Sequence, residues 1–173
     1  MVQTEHHPQF FTATILEWKP LLADHTCKEI LLDSLRFLVK EQRVIVNSFV
    51  IMNNHMHLIW QAVNGFTPQQ VQHSFLKFTA QQIKFHLQQH NPVLLESFLV
   101  NAADRQYQIW ERNPLSIDLY SEEVYLQKVD YIHNNPVAAG LCEQPEEYYY
   151  SSAKFYETLI DEFGMITHWR KWM

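Results

Sequence analysis

The stretch Val44-Ile45-Val46-Asn47-Ser48-Phe49-Val50-Ile51-Met52 runs directly into Asn53-Asn54 and then into His55-Met56-His57-Leu58-Ile59-Trp60. No other part of the chain limits the fold as tightly. The first run is rich in β-branched residues and near-continuously apolar, the pattern of a strand buried on both faces. Asn53-Asn54 suits a tight turn, because asparagine tolerates positive φ. The residues that follow then return as a hairpin partner. Strand side chains alternate faces, so Met56, Leu58 and Trp60 point one way and His55 and His57 the other. Their Cα atoms lie roughly 6.5–7 Å apart, close enough for both imidazoles to reach one divalent cation. The hairpin therefore reads as core on one side and half of a metal site on the other.

The rest of the chain supplies partners for that hairpin. Residues 9–18 are aromatic and β-branched and read as a first strand, closed by Pro20. Thr26 with Glu29 forms a capping-box pattern. Cys27, Ile30, Leu31, Leu35, Leu38 and Val39 then recur at helical spacing to about Lys40. Thr67-Pro68-Gln69-Gln70 opens a second helix, with Leu76, Ala80, Ile83 and Leu87 on its apolar face and Asn91-Pro92 as its stop. Residues 105–110 alternate as a fourth strand. Ser121-Glu122-Glu123 caps a third helix whose buried stripe is Tyr125, Val129 and Ile132, and Pro136 limits its end. Residues 141–173 are aromatic-rich with weak periodicity and yield only a short helix near 151–159. This order predicts an α+β fold: a ferredoxin-like split β-α-β palm, with a four-stranded antiparallel sheet and helices on one face. One domain spans 1–173, with a core over about 8–140 and a C-terminal extension over 141–173.

Composition narrows the setting. A chain of 173 residues, 47% of them hydrophobic, can bury about 70% of its unfolded surface. It has no apolar stretch near the ~18 residues of a membrane span. The N-terminus lacks the basic and apolar regions of a signal peptide, and Cys27 and Cys142 have no metal-ligand spacing. Reduced thiols and a cytoplasmic, nucleoid-associated location are the expectation. A formal charge of −6 weighs against nonspecific binding of polyanions.

In the third helix Tyr131 and Asn135 are four apart and share a face with Val124 and Lys128. If that face covers the open side of the histidine strand, a phenol and an amide approach the two imidazoles. Imidazoles and an amide oxygen can hold Mg²⁺ or Mn²⁺ with positions left for phosphate oxygens. A tyrosine nucleophile would conserve the phosphodiester bond in a covalent intermediate, which strand transfer needs and hydrolysis does not. Each piece alone has an ordinary structural reading: a packed tyrosine, a helix stop at Asn134-Asn135-Pro136, an incidental His-x-His. The run Tyr148–Tyr150 fits packing better than base stacking, and the remaining histidines are taken as solvated.

Together the motifs resemble the REP-associated tyrosine transposases and their insertion-sequence relatives, within the HUH single-tyrosine superfamily. The resemblance is carried by Phe49-Val50-Ile51-Met52-Asn53-Asn54-His55-Met56-His57-Leu58-Ile59 and by Asp130-Tyr131-Ile132-His133-Asn134-Asn135-Pro136-Val137-Ala138-Ala139-Gly140-Leu141. It extends to Glu147-Tyr148-Tyr149-Tyr150-Ser151-Ser152-Ala153, to Trp110-Glu111 and to Lys77-Phe78-Thr79-Ala80. It implies a metal-dependent single-strand DNA nuclease and strand transferase acting near hairpins. On that resemblance His55 and His57 are the metal pair, Asn135 the third ligand and Tyr131 the nucleophile, giving a 5′-phosphotyrosine link and a free 3′ hydroxyl. His133 is the weaker third ligand, because on a helix it points away from the Tyr131 face.

Lysines common in the second helix of relatives are thinned here to Thr79-Ala80-Gln81-Gln82-Ile83-Lys84. Lys77, Lys84, Arg105, Arg112 and Lys128, with Lys154, remain to meet DNA, which predicts binding that is weaker and less salt-dependent. Two other functions fit the composition. One is a hairpin or single-stranded DNA-binding module with a domesticated or inactive site. The other is a metal hydrolase for a small substrate. The lengths allow a homodimer that shares sites as readily as a self-sufficient chain.

Overall fold

In a computed structural model of the protein, residues 2–171 are described. The elements are β1 (Gln9–Thr14), α1 (His25–Lys40), β2 (Val44–Ile51), β3 (His55–Ala62), α2 (Pro68–His90), α3 (Pro92–Glu96), β4 (Leu115–Asp118), α4 (Glu122–Ala138) and α5 (Ala153–Thr158). The four strands form one antiparallel sheet in the order β2-β3-β1-β4. Both β1 and β2 run antiparallel to β3, which lies between them, so the β1-α1-β2 unit is split as expected. Among the described residues no helix is long and apolar enough to cross a membrane.

Helices cover both faces of the sheet rather than one. Phe11, Ala13 and Ile15 join Val46, Phe49, Met56, Leu58 and Trp60 in a large core under α1 and α2. The opposite face is smaller: Phe10, Val50, Met52 and Ile59 pack against Tyr125, Val129 and Ile132 of α4. The third helix of the sequence thus has its own side of the sheet. This is possible because β2 is buried along its whole length. The parity switch in β2, from Val44 and Val46 to Phe49 and Ile51, comes from a bulge between Val46 and Ser48.

That bulge also explains the C-terminal segment, whose weak periodicity suits neither helix nor strand. Asn47 Nδ2 donates to the Thr167 carbonyl at 2.8 Å and Tyr156 Oη to the Asn47 carbonyl at 2.9 Å. Thr167 N bonds Val46 O, Ser152 N bonds Phe49 O and Ile51 N bonds Tyr150 O. The segment covers the free edge of β2, which would otherwise template another strand. Tyr148 donates to the Ile51 carbonyl at 2.8 Å and Tyr150 is buried, so these two tyrosines serve packing.

Several local expectations need correction. The fourth strand is β4, not residues 105–110. Tyr107 and Trp110 make only isolated bridges to Leu99 and Ile15. The alternation there reflects a loop pinned to α2, where buried Trp110 donates its indole N–H to Thr79 Oγ1 at 3.1 Å. The cap of α1 is Asp24, whose carboxylate accepts from Thr26 N, in place of the Thr26–Glu29 box. The buried stripe of α2 is Val71, Phe75, Thr79, Ile83 and Leu87, with Leu76 and Ala80 on its flank. Pro136 does not end α4, which continues to Ala138 with the ring buried in its last turn. Neither Asn53 nor Asn54 has a positive φ. Their carbonyls instead accept from Leu22 N and Ile15 N, both at 2.9 Å, which fixes the turn from outside.

Candidate functional site

On the α4 side of the sheet, the polar patch follows from strand register. In the β1–β3 ladder Thr12 faces His57 and Thr14 faces His55, and alternation turns all four away from the large core. Thr12 Oγ1 lies 2.7 Å from His57 Nδ1, and Asn54 Oδ1 lies 2.7 Å from His55 Nδ1. An amide oxygen can only accept, so Asn54 requires the proton on Nδ1 of His55 and leaves Nε2 as the basic nitrogen. If Thr12 also accepts, His57 takes the same tautomer. Metal-binding histidines are commonly oriented in this way by a partner on the other ring nitrogen.

His57 Nε2 is buried and has no hydrogen-bond partner among the described residues. The two imidazole centroids are 4.8 Å apart. Burial, then the neighbouring His55 and the Lys128 ammonium, push His57 down to about 3. Burial lowers His55 as well, opposed by a side-chain hydrogen bond with Asn135. Both rings are therefore neutral at pH 7, the state in which imidazole binds metal. An orphaned buried nitrogen, a second ring poised alike and a nearby amide fit a divalent ion. Oxygen-preferring Mg²⁺ would also need phosphate and water oxygens to complete its shell.

Helix α4 places Tyr131 at this patch within the same chain. Its buried stripe seats the helix on Phe10, Val50 and Ile59, which leaves Tyr131 on the flank with half its surface exposed. The Tyr131 ring lies 5.2 Å from that of His57 and 5.9 Å from Phe10. Phe10 stacks on His57 at 5.4 Å. Lys128 Nζ stands 4.6 Å from the Phe10 centroid and 5.7 Å from that of Tyr131. Asn134 turns back to the Asp130 carbonyl and His133 bonds Ser152 Oγ at 2.8 Å. Only Asn135 of the three faces the histidines.

The other cations lie elsewhere. Lys77, Arg105 and Arg112 line a cleft of about 650 Å³ between α2 and the 104–114 loop, and Lys84 Nζ sits 5.4 Å from the Tyr107 ring centroid. Arg105 is engaged with Asp104 at 2.7 Å, and Lys154 with Glu162 at 2.7 Å. A second group of potential metal ligands, Asp24, Cys27 and His86, has its ligating atoms within 4.8 Å of one another. These atoms already have roles: Asp24 caps α1 and bonds His86 Nε2 at 2.8 Å. Burial, with Asp24 adding to it, pushes the Cys27 thiol up to about 12. Sequence spacing gave no sign of this group, because α2 supplies one member and the start of α1 the other two.

Sequence reasoning also missed Thr12, Asn54 and Trp18. The first would have followed from the β1–β3 register, and the second from being the residue before His55. Trp18 stands beside His55, ring centroids 5.6 Å apart, on backbone that no sequence pattern announces. Glu17 and Trp18 have φ of 55° and 56°, a left-handed pair costing on the order of 1–3 kcal/mol per residue.

No family model matches the chain, and no curated protein matches it either. Among solved structures, a REP-associated tyrosine transposase bound to a REP hairpin superposes with a TM-score of 0.65 at 18% identity, covering 95% of this chain and 88% of that one. A protein from Deinococcus radiodurans, provisionally designated a transposase, gives a TM-score of 0.42 at 18% identity over 75% of this chain and 91% of its own. The first superposition shows that this chain has a REP-associated tyrosine transposase-like fold.

Proposed function

We propose that this chain is a metal-dependent single-stranded DNA endonuclease and strand transferase, a transposase-type enzyme acting beside hairpins with Tyr131 as nucleophile. The observation that carries the reading is the half-exposed Tyr131, its ring 5.2 Å from a buried imidazole whose Nε2 has no partner among the described residues. A fold shared with a hairpin-bound transposase supports it. His55, His57 and Asn135 would hold Mg²⁺ or Mn²⁺, and such an ion would draw charge from the scissile phosphate.

The chain's own residues do the rest. Tyr131 Oη attacks phosphorus, the P–O3′ bond breaks, and the departing 3′ oxygen takes up a proton while the phenol proton leaves to solvent. No co-reactant is needed. A free 3′ hydroxyl attacking the phosphotyrosine runs the same exchange backwards and joins the strands. Lys128 places an ammonium where the phosphate must arrive, and Phe10 keeps one side of His57 dry. Tyr131 lies against a histidine of its own chain, which supports a site built within one protomer. An enzyme of this kind works at chromosomal DNA, in the cytoplasm.

The test is a denaturing gel of protein incubated with labelled hairpin DNA and Mg²⁺ or Mn²⁺. A metal-dependent covalent adduct is expected from the wild type and none from Tyr131→Phe; an adduct surviving that substitution sinks the assignment. A second reading, a hairpin-binding module without cleavage, is favoured by the charge of −6 and by the tie between Arg105 and Asp104. It predicts hairpin binding indifferent to chelator and to His55→Ala, with no adduct.

A further inference from the structure

Among the described residues, Trp18 is a large side chain at the site that neither packing nor the chemistry above explains. The residue is 60% exposed, so burial does little to offset the backbone cost at residues 17 and 18. Yet that backbone is held in place from several sides. Glu17 N donates to Glu111 Oε1 at 2.6 Å, Trp18 N to the Ile15 carbonyl at 2.9 Å, and Asn54 Nδ2 to the Trp18 carbonyl at 3.4 Å. Lys19 Nζ fastens the next residue to Glu17 Oε2 at 3.1 Å and to the Ser97 carbonyl at 2.8 Å. Asn54 is also the residue that orients His55. One asparagine therefore couples the position of the indole to that of the imidazole. A strained turn locked around an exposed indole is a way to present a flat apolar surface to a ligand.

The direction of the chemistry says which part of a ligand. Tyr131 stands against His57 and Trp18 against His55, so each exposed ring adjoins a different member of the histidine pair. In-line attack by Tyr131 expels the 3′ oxygen on the side of phosphorus away from the tyrosine. The nucleotide that carries this oxygen then lies toward Trp18. We infer that Trp18 is a nucleobase platform: it stacks on the unpaired base 5′ to the scissile phosphate and keeps the released 3′ hydroxyl in place for rejoining. This rests on the proposed strand-transfer reading for its direction, and on exposure and geometry alone for the stacking. A stacked base is held without hydrogen-bond readout, so the platform tolerates any base but not its absence.

The experiment measures binding and cleavage separately. Labelled hairpins with a single-stranded flank are titrated by fluorescence anisotropy in chelator, where no cleavage occurs, with wild type, Trp18→Ala and Trp18→Phe. A second series makes each flank nucleotide abasic in turn. Trp18→Ala is expected to weaken binding about 5- to 150-fold and Trp18→Phe to retain most of the affinity. One abasic position should reproduce the loss in wild type and cost Trp18→Ala nothing more. Binding by Trp18→Ala within twofold of wild type overturns the platform, and adduct formation by wild type in Mn²⁺ would leave the strand-transfer reading standing. Lost binding in Trp18→Ala without any wild-type adduct supports stacking while refuting strand transfer. No affinity of wild type for the hairpin refutes both.

Discussion

Replacing Thr12 by valine tests whether the histidine pair is organised for an ion. Valine matches threonine in shape, so the ladder with His57 is retained and only the hydroxyl is lost. The contact removed is the 2.7 Å pairing of Thr12 Oγ1 with His57 Nδ1. Among the described residues His57 Nε2 is already without a partner, so the ring then has neither nitrogen bonded to them in a buried setting. An unsatisfied buried polar group costs about 1–3 kcal/mol, and that loss should appear in urea unfolding of the metal-free protein. The larger effect is on the ion. A partner that orients a ligating histidine is worth 10–100-fold in metal affinity, or about 1.4–2.7 kcal/mol at 1.36 per tenfold step. Calorimetric titration with Mn²⁺ should show that weakening in Thr12→Val, with the stoichiometry per chain unchanged. An affinity within twofold of wild type refutes the reasoning, because His57 would then owe its orientation to packing against Phe10 and Tyr131.

Acid should destabilise the metal-free protein well above the carboxylate range. Burial holds His55, His57, His133 and His168 below the ordinary imidazole value, His57 at about 3 and His133 at about 4. Between pH 6.5 and these values the unfolded chain binds protons that the folded chain does not. Stability is therefore full above pH 6.5 and falls as pH drops, with a slope from His57 and His133 of up to about 2.7 kcal/mol per unit. Urea midpoints in chelator that stay level from pH 6.5 to 5 would contradict this. At the α1 cap, Asp24→Ala should cost about 1 kcal/mol more than Asp24→Asn, since asparagine caps as well as aspartate. Equal urea midpoints for the two variants would remove Asp24 from the cap and leave it as the partner of His86 alone.

What the sequence revealed was local, and what it hid was set by contacts between distant segments. The β2–β3 hairpin was readable because apolar run, turn and alternation agree over consecutive residues. The start of α2 was readable because Thr67, Pro68 and Gln70 carry their own hydrogen-bond logic, and both halves of its capping box form. β4 was not: its four residues, Leu-Ser-Ile-Asp, are mostly exposed at the sheet edge and bury nothing that would print a pattern. The 105–110 segment printed a false one because Tyr107 and Trp110 pack on α2 rather than in a ladder. Pro136 shows the same limit. A proline is tolerated in a last helical turn when burial of its ring outweighs one lost hydrogen bond. At the site, His55, His57 and Tyr131 stood out by type and spacing. Thr12 is one threonine among several until the register places it opposite His57.

The placement of the site also follows from how α4 sits. Its stripe of Tyr125, Val129 and Ile132 can bury only where the sheet offers Phe10, Val50 and Ile59, which is most of that face but not its histidine end. The apolar cluster stops at His57, whose ring is stacked on Phe10 and set edge-to-face with Tyr131, itself in contact with Phe10. A leucine at position 57 would continue the cluster without desolvating a nitrogen. The histidine instead carries a buried Nε2 with no partner among the described residues, which costs free energy that a leucine would not. On the proposed function, a cation bound at that nitrogen would offset this cost. The tyrosine then needs no separate device to reach the site, because the helix stripe that closes the small core sets Tyr131 at its rim, one turn before Asn135.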